Sequence, residues 1–223
     1  MLKVFNPAPY IDHTLLKADA TPEQIAVLCE EAVEYGFASV CVPPRFVRQA
    51  ADAVYGSEVR AGTVIGFPLG YEASRIKAAQ AAHAVDSGAQ ELDMVIQLGA
   101  ARIGNYVEVA ADIRTVVERA EGRPVKVILE CCLFDAATKS ALVEAVIRGG
   151  ADYVKTSTGF AAGGAKLTDV QLLTEVAAGR LKVKAAGGIR DWPACRSFIE
   201  AGAARIGTSA GVAIIEQWRH DAS

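Results

Sequence analysis

The chain has 223 residues, 52% of them hydrophobic and 22% charged, which fits one large folded domain and argues against intrinsic disorder. Its 23 basic and 26 acidic residues leave a net charge of −3 with no basic cluster, so nucleic acid is not an expected partner. No apolar run is long enough to span a bilayer, and residues 1–10 have no apolar signal core, so the expectation is a cytoplasmic protein with no membrane partner.

Thr21-Pro22-Glu23-Gln24 reads as a capping box with proline at the first helical position. Ile25, Leu28 and Ala32 then share one helical face, and Gly36 stops the helix. A short buried run follows at 37–42, then a helix carrying Phe46, Val47, Ala50 and Val54. The alternation continues with strand at 63–66, helix at 73–87, strand at 91–96 and helix at 106–120, where Val109, Ile113 and Val116 lie on one face. Strand at 125–130 precedes a helix capped by Asp135 that runs to Arg148. Strands at 153–156, 183–186 and 206–208 alternate with helices near 168–178, 191–201 and 211–218. That gives seven strands, each followed by a helix; residues 10–12 are the only candidate for an eighth, weak on pattern alone.

Short apolar strands separated by helices predict a parallel sheet buried on both faces. The length suits an α/β (β/α)8 TIM barrel, one domain over 1–223. A doubly wound sheet competes, but no G-x-G-x-x-G loop is present. An internal repeat favours the barrel. Gly36, Gly88, Gly150 and Gly202 each precede a strand; Val40, Leu92, Val154 and Ile206 follow four residues on, and Cys41, Asp93, Lys155 and Gly207 five on. Strand side chains alternate, so the aliphatic set faces the helices and the second set faces the barrel interior as one layer on alternate strands.

Lys155 is the first candidate for chemistry. An interior lysine loses hydration, which disfavours its ammonium and suits an amine nucleophile that forms a Schiff base. A lysine that snorkels out or pairs with a carboxylate is an equal reading of Lys155 alone. Lys184, at the end of the next strand, tips the balance. Adjacent strands lie about 4.8 Å apart, and one ammonium beside another lowers the pKa of one of them. Lys182 shares that face lower in the barrel, with a structural role. Asp93 supplies an acid–base group or an ion-pair partner. Asp12 is a candidate proton relay, with helix cap or hydrogen-bond partner as equal readings, and Glu91 takes no catalytic role.

Glycine-rich segments follow the last three strands, at 159–164, 187–190 and 207–211. Barrel enzymes often bind phosphate in the loops after strands seven and eight. Gly159, Gly187, Gly188, Gly207 and Ser209 are therefore candidate phosphate ligands, with Arg190 either assisting or solvated. His13, His83 and His220 show no ligand spacing, and no metal is expected. His83 reads as structural, and Trp192 and Trp218 as packing residues. Cys29, Cys41, Cys131, Cys132 and Cys195 form no C-x-x-C, so neither a disulfide framework nor a zinc site is expected; Cys41 is placed in the interior with no histidine to activate it.

These segments together resemble the deoxyribose-phosphate aldolase family: Ile11-Asp12-His13-Thr14-Leu15-Leu16, Gly66-Phe67-Pro68-Leu69-Gly70, Glu91-Leu92-Asp93-Met94-Val95-Ile96, Lys126-Val127-Ile128-Leu129-Glu130, Val154-Lys155-Thr156-Ser157-Thr158-Gly159-Phe160, Lys184-Ala185-Ala186-Gly187-Gly188-Ile189-Arg190 and Arg205-Ile206-Gly207-Thr208-Ser209. The resemblance implies a barrel whose first strand includes residues 10–12. It also implies a metal-free, cofactor-free class I aldolase. Such an enzyme cleaves 2-deoxy-D-ribose 5-phosphate reversibly to acetaldehyde and D-glyceraldehyde 3-phosphate in deoxyribose phosphate catabolism. It implies Lys155 as the Schiff-base residue, Lys184 as the group that perturbs it and aids proton transfer, and Asp93 as proton donor or acceptor. Three positions depart from the family pattern. Ser209-Ala210 stands where many relatives have two serines. Pro43 follows Cys41-Val42 where asparagine is common. No tyrosine follows Tyr153, whereas some relatives carry one on the tail.

The alternative is a class I aldolase or transaldolase for another sugar phosphate or small aldehyde. A sugar-phosphate-binding protein without turnover would form no covalent adduct, and a barrel isomerase would rely on a carboxylate or histidine base. The alanine-rich stretch 78–84 suits packing against the barrel or a second subunit, so a homo-oligomer, dimer or tetramer, is compatible with the sequence.

Overall fold

The computed structural model describes residues 6–221. The first five residues of the stretch read as lacking a signal core therefore lie outside it, as do both ends of the 1–223 domain. The elements run β1 Ile11–Thr14, α1 Pro22–Tyr35, β2 Ser39–Val42, α2 Val47–Ala53, β3 Arg60–Ile65, α3 Ser74–Asp86, β4 Glu91–Val95, α4 Leu98–Arg102, α5 Tyr106–Arg119, β5 Val125–Ile128, α6 Ala136–Gly149, β6 Tyr153–Lys155, α7 Leu167–Ala177, β7 Lys182–Ala186, α8 Trp192–Glu200, β8 Ala203–Thr208 and α9 Gly211–Asp221. The strands close in sequence order into an all-parallel barrel, β1 pairing with both β2 and β8. Among the described residues no helix is long and apolar enough to cross a membrane.

Local chemistry sets the boundaries. Thr21 and Gln24 form the reciprocal capping box, Pro22 opens α1, and Gly36 closes it at φ 70°. Asn105, Asp135 and Asp191 cap α5, α6 and α8 through their side chains. The expected faces of α1 and α5 are buried against the barrel.

Several expected edges move. β1 begins at Ile11, because Pro7, Pro9 and their neighbours set a 3-10 turn over Ala8–Tyr10. β3 begins three residues before the expected 63; Gly62 masks that half in the sequence, yet a Cβ there would lie 3.1 Å from the Val40 carbonyl oxygen. β5 ends at Ile128, not 130, because Glu130 turns into left-handed backbone. β8 begins at Ala203, ahead of the expected 206. α4, at five residues, is too short to leave a periodic signal and was not anticipated.

The register builds the expected interior layer. Pairing leads from Cys41 through Gly62 to Glu91, two residues below Asp93. It leads from Asp93 through Lys126 to Tyr153, two below Lys155, and from Lys155 through Lys184 to Arg205, two below Gly207. From Gly207 it passes Asp12 to Ser39, two below Cys41. Each pair of strands climbs two residues, and four such steps close the ring with a shear of about eight. Cys41, Asp93, Lys155 and Gly207 therefore share one level, with Ser39, Glu91, Tyr153 and Arg205 one level lower. Val40, Leu92, Val154 and Ile206 face outward into the hydrocarbon core between barrel and helices. That core is apolar; the barrel interior is largely ionic.

Candidate active site

Asp93 stands at the centre. Its Oδ2 accepts hydrogen bonds from Lys155 Nζ at 2.7 Å and Lys184 Nζ at 2.8 Å, and its Oδ1 accepts from Lys126 Nζ at 3.0 Å. Lys184 also forms an ion pair with Asp12 Oδ2 at 2.5 Å. Asp12 Oδ1 accepts from Ser39 Oγ and Arg205 Nε, each at 2.7 Å. One level down, Glu91 Oε2 accepts from Lys126 Nζ at 2.7 Å and from Arg205. All of these charged side chains are buried.

Strand alternation explains the convergence. Each charged residue is flanked by residues that face the helices, so the strand aims it inward. Lys155 and Lys184 are direct neighbours in the β6–β7 register. Gly207 leaves the space Lys184 occupies: a Cβ there would lie 3.1 Å from Lys184 Cε.

The electrostatics separate the two lysines. Burial pushes the Lys155 amine below the ordinary lysine value; Asp93 opposes that, while the neighbouring Lys184 ammonium adds to it. Burial acts on Lys184 in the same direction, but Asp12 and Asp93 together overcome it and raise its pKa. Burial disfavours the Asp93 carboxylate, and Lys126, Lys155 and Lys184 outweigh it, holding Asp93 well below the carboxylate range. Asp12 is likewise held low against burial, by Lys184, Lys126 and Arg205.

Charge balance points the same way. Three buried carboxylates, Asp12, Glu91 and Asp93, face four buried cationic side chains, Lys126, Lys155, Lys184 and Arg205. Arg60 also reaches Glu91 Oε1 from the rim at 3.3 Å, so cations outnumber carboxylates and a neutral Lys155 amine reduces the excess.

Above this floor, a cleft of about 300 Å³ opens between the loops after β1, β6, β7 and β8. Gly159, Gly187, Gly188, Gly207 and Ser209 all line it, as do Lys155 and Arg190. Among the described residues, the N–H groups of Gly159, Gly188 and Ser209 make no hydrogen bond within the protein. The loops after β6 and β7 are locked together: Ala165 N–H donates to Gly187 O at 3.0 Å, and a Cβ on Gly164 would lie 2.3 Å from that oxygen. Thr208 Oγ donates to Ile189 O at 2.6 Å, tying the loop after β7 to the end of β8.

Other expected positions separate from the site. Gly211, last of the third glycine segment, opens α9 and packs beneath His13 and Phe37. His13 is buried, its Nε2 2.7 Å from Glu31, and His83 is exposed on α3. Pro43 lies outside the cleft lining. Cys41 does face the interior, but burial and then Asp93 push its thiol up to about 11, so it stays protonated at neutral pH. Lys182 is exposed at the lower rim, over the Tyr153 ring at 5.6 Å.

Sequence reading assigned no role to Lys126, Arg205 and Thr158, which stand only within the family motifs, and left Lys17 unmarked. Lys126 and Arg205 carry the same signal as Asp93, a charge at an inward position of a strand buried on both faces. Lys17 and Thr158 line the cleft from loops, where alternation gives no direction.

The pattern of DeoC/LacD family aldolases matches residues 8–217. The chain is 57% identical over 214 residues to a deoxyribose-phosphate aldolase of Syntrophotalea carbinolica, covering 96% of this chain and 97% of that protein. It is 51% identical over 212 residues to one from a Geobacillus strain, covering 95% of each. The tetrameric deoxyribose phosphate aldolase structure from Aeropyrum pernix superposes with a TM-score of 0.88 at 36% identity, over 95% of this chain and 90% of that one.

Proposed function

The chain belongs to the DeoC/LacD family of aldolases, and on that premise we propose that it cleaves 2-deoxy-D-ribose 5-phosphate reversibly to acetaldehyde and D-glyceraldehyde 3-phosphate through an imine on Lys155. The observation that carries the assignment of Lys155 is the single Asp93 oxygen shared by two buried lysines whose pKa values move in opposite directions. Lys155 is the nucleophile, Asp93 the ionised proton acceptor and Lys184 the cation that keeps Lys155 neutral.

The Lys155 amine attacks C1 of the open-chain sugar. Asp93 receives a proton from the nitrogen and passes it to the carbinolamine oxygen, which takes a second proton from solvent and leaves as water. The resulting iminium draws in the electrons of the C2–C3 bond, which breaks as the C3 hydroxyl gives its proton to Asp93. Glyceraldehyde 3-phosphate departs, Asp93 passes the proton to C2 of the enamine, and water hydrolyses the iminium, releasing acetaldehyde, the free Lys155 amine and one proton to solvent. Asp12 acts through Lys184 and Arg205, fixing their positions. Gly159, Gly187, Gly188, Gly207 and Ser209 hold the phosphate, the unengaged N–H groups in this set supplying donors. Phosphate contacts remote from the breaking bond orient the sugar. Ala210 offers no hydroxyl; its N–H is taken by Thr208 Oγ at 2.9 Å, so backbone donors carry more of the phosphate binding here.

Borohydride reduction with 2-deoxyribose 5-phosphate, followed by mass spectrometry, tests this. The expected adduct is on Lys155, is lost in Lys155→Leu, and is accompanied by acetaldehyde in a parallel product assay. An adduct on Lys184 instead would reverse the two roles, and none from folded protein would overturn the mechanism. A panel of other sugar phosphates tests the substrate. The proposal extends to one barrel domain over 1–223 working in the cytoplasm as a homo-oligomer, dimer or tetramer. The tetrameric relative supports the assembly, and light scattering showing only monomer would overturn it.

A further inference from the structure

Three non-glycine residues among those described have left-handed backbone: Glu121, Glu130 and Ala178. Glu121 and Ala178 are exposed in surface turns, whereas Glu130 is buried, at φ 58° and ψ 62°. Non-glycine residues persist there only where their surroundings over-determine them. Glu130 follows the end of β5, and its backbone neighbours run along the exit of β6: Leu129 N–H donates to Lys155 O at 3.0 Å and Cys131 N–H to Thr156 O at 2.8 Å. Between these two bonds, the carboxylate of Glu130 reaches further up the β6 loop. Thr158 N–H lies 3.3 Å from Oε2 and 3.4 Å from Oε1, and the Thr158 hydroxyl also donates to Oε2. Thr158 Oγ in turn accepts from Phe160 N–H at 3.0 Å. No salt bridge among the described residues uses Glu130. A buried carboxylate without a cation is an expensive way to fill space, and an apolar side chain would fill it at lower cost.

The staple therefore has a local object, the turn Thr158-Gly159-Phe160, all three residues of which line the cleft. By consuming the N–H and hydroxyl of Thr158 and, through Thr158, the N–H of Phe160, it leaves Gly159 N–H as the one donor of the turn with no partner in the protein. We propose that Glu130 is a positioning residue that sets the preference for phosphorylated substrate, acting through Thr158 to hold the Gly159 amide in place for the phosphate. This rests on the aldolase reading of the cleft. The Glu130 carboxylate makes no hydrogen bond or ion pair with Lys155 and does not line the cleft, so its effect falls on phosphate binding and not on imine chemistry.

The test compares wild type, Glu130→Ala and Glu130→Gln on 2-deoxyribose 5-phosphate and on unphosphorylated 2-deoxyribose, with borohydride trapping of acetaldehyde alongside. In Glu130→Ala, KM for the phosphorylated sugar is expected to rise about tenfold with kcat little changed, which marks lost binding rather than lost chemistry. Turnover of the unphosphorylated sugar and adduct formation on Lys155 stay near wild type. Glu130→Gln keeps an oxygen for Thr158 N–H and is expected to recover most of the loss. Equal losses on both sugars, or no change on either, would overturn the proposal while leaving the aldolase reading intact. Failure of wild-type protein to form the acetaldehyde adduct would overturn both. Should Glu130→Ala not fold, Glu130→Met fills a similar volume without accepting from Thr158 and is expected to show the same selective rise in KM; an unselective loss there counts against the proposal equally.

Discussion

At the scale of single residues, the site turns on two lysines of the same type in adjacent positions that differ in what faces them. Lys184 has two carboxylates, Asp12 and Asp93; Lys155 shares only the second and is repelled by Lys184. The sign of a pH effect follows. Imine formation needs the free Lys155 amine, so kcat/KM rises with pH through the Lys155 pKa. Lys184→Met removes a charge that lowers this pKa, so the acidic limb of the profile should move to higher pH, beyond any overall loss of rate. A limb that stays in place would show that Lys184 does not set the charge state of Lys155. Lys155, Lys184 and Asp93 were legible in the sequence because each sits at an inward position of a buried strand, Lys155 at the C-terminal end of β6 and Asp93 and Lys184 midway along β4 and β7. Lys126 and Arg205 obey the same rule but lie lower or earlier in their strands, where charge is easily taken for a rim feature. That Asp12 is an ionic partner, held by Ser39, Arg205 and Lys184, depends on contacts between distant strands that spacing along one strand cannot reveal.

Elements were legible to the extent that their signals are local. The capping box of α1 and the side-chain caps of α6 and α8 stand where Ser, Thr, Asp and Pro punctuate the chain. Boundaries shifted where the decisive contact is distant, as at Gly62, whose missing side chain accommodates β2. The end of α1 gives a clean test of a local signal. Gly36 has φ 70°, and a Cβ there would meet nothing within 4 Å. Gly36→Ala should therefore cost only backbone strain, about 1 kcal/mol in chemical denaturation, with activity unchanged. A loss several times larger would mean that packing, and not the left-handed cap, requires glycine.

For the whole molecule, the glycine-led repeat favoured a barrel with one interior layer, because the alternation of side chains and the shear are linked geometrically, while the eighth strand, weak on pattern alone, came from the family resemblance. The cleft-lining loops were legible only as glycine-rich stretches, since which loops meet is settled by the order in which strands close. The ionic interior also sets the acid response. Asp12 and Asp93 have folded pKa values below their unfolded ones, so their stabilising contribution is complete above the unfolded value near 4 and is lost as pH falls through the folded value. Asp12→Asn should lower stability at pH 7 by about 3–5 kcal/mol, because Arg205 and Lys184 lose a buried counter-ion. It should also flatten the dependence of stability on pH below 4, as followed by urea denaturation. An interior balanced charge against charge has a consequence for descent as well. A lineage that loses Lys126 leaves Glu91 and Asp93 exposed to each other's repulsion, and a second change, such as Glu91→Gln, relieves it. Variation in the centre of this barrel is therefore expected to be inherited in compensating pairs, whereas the aliphatic wall behind it can drift one residue at a time.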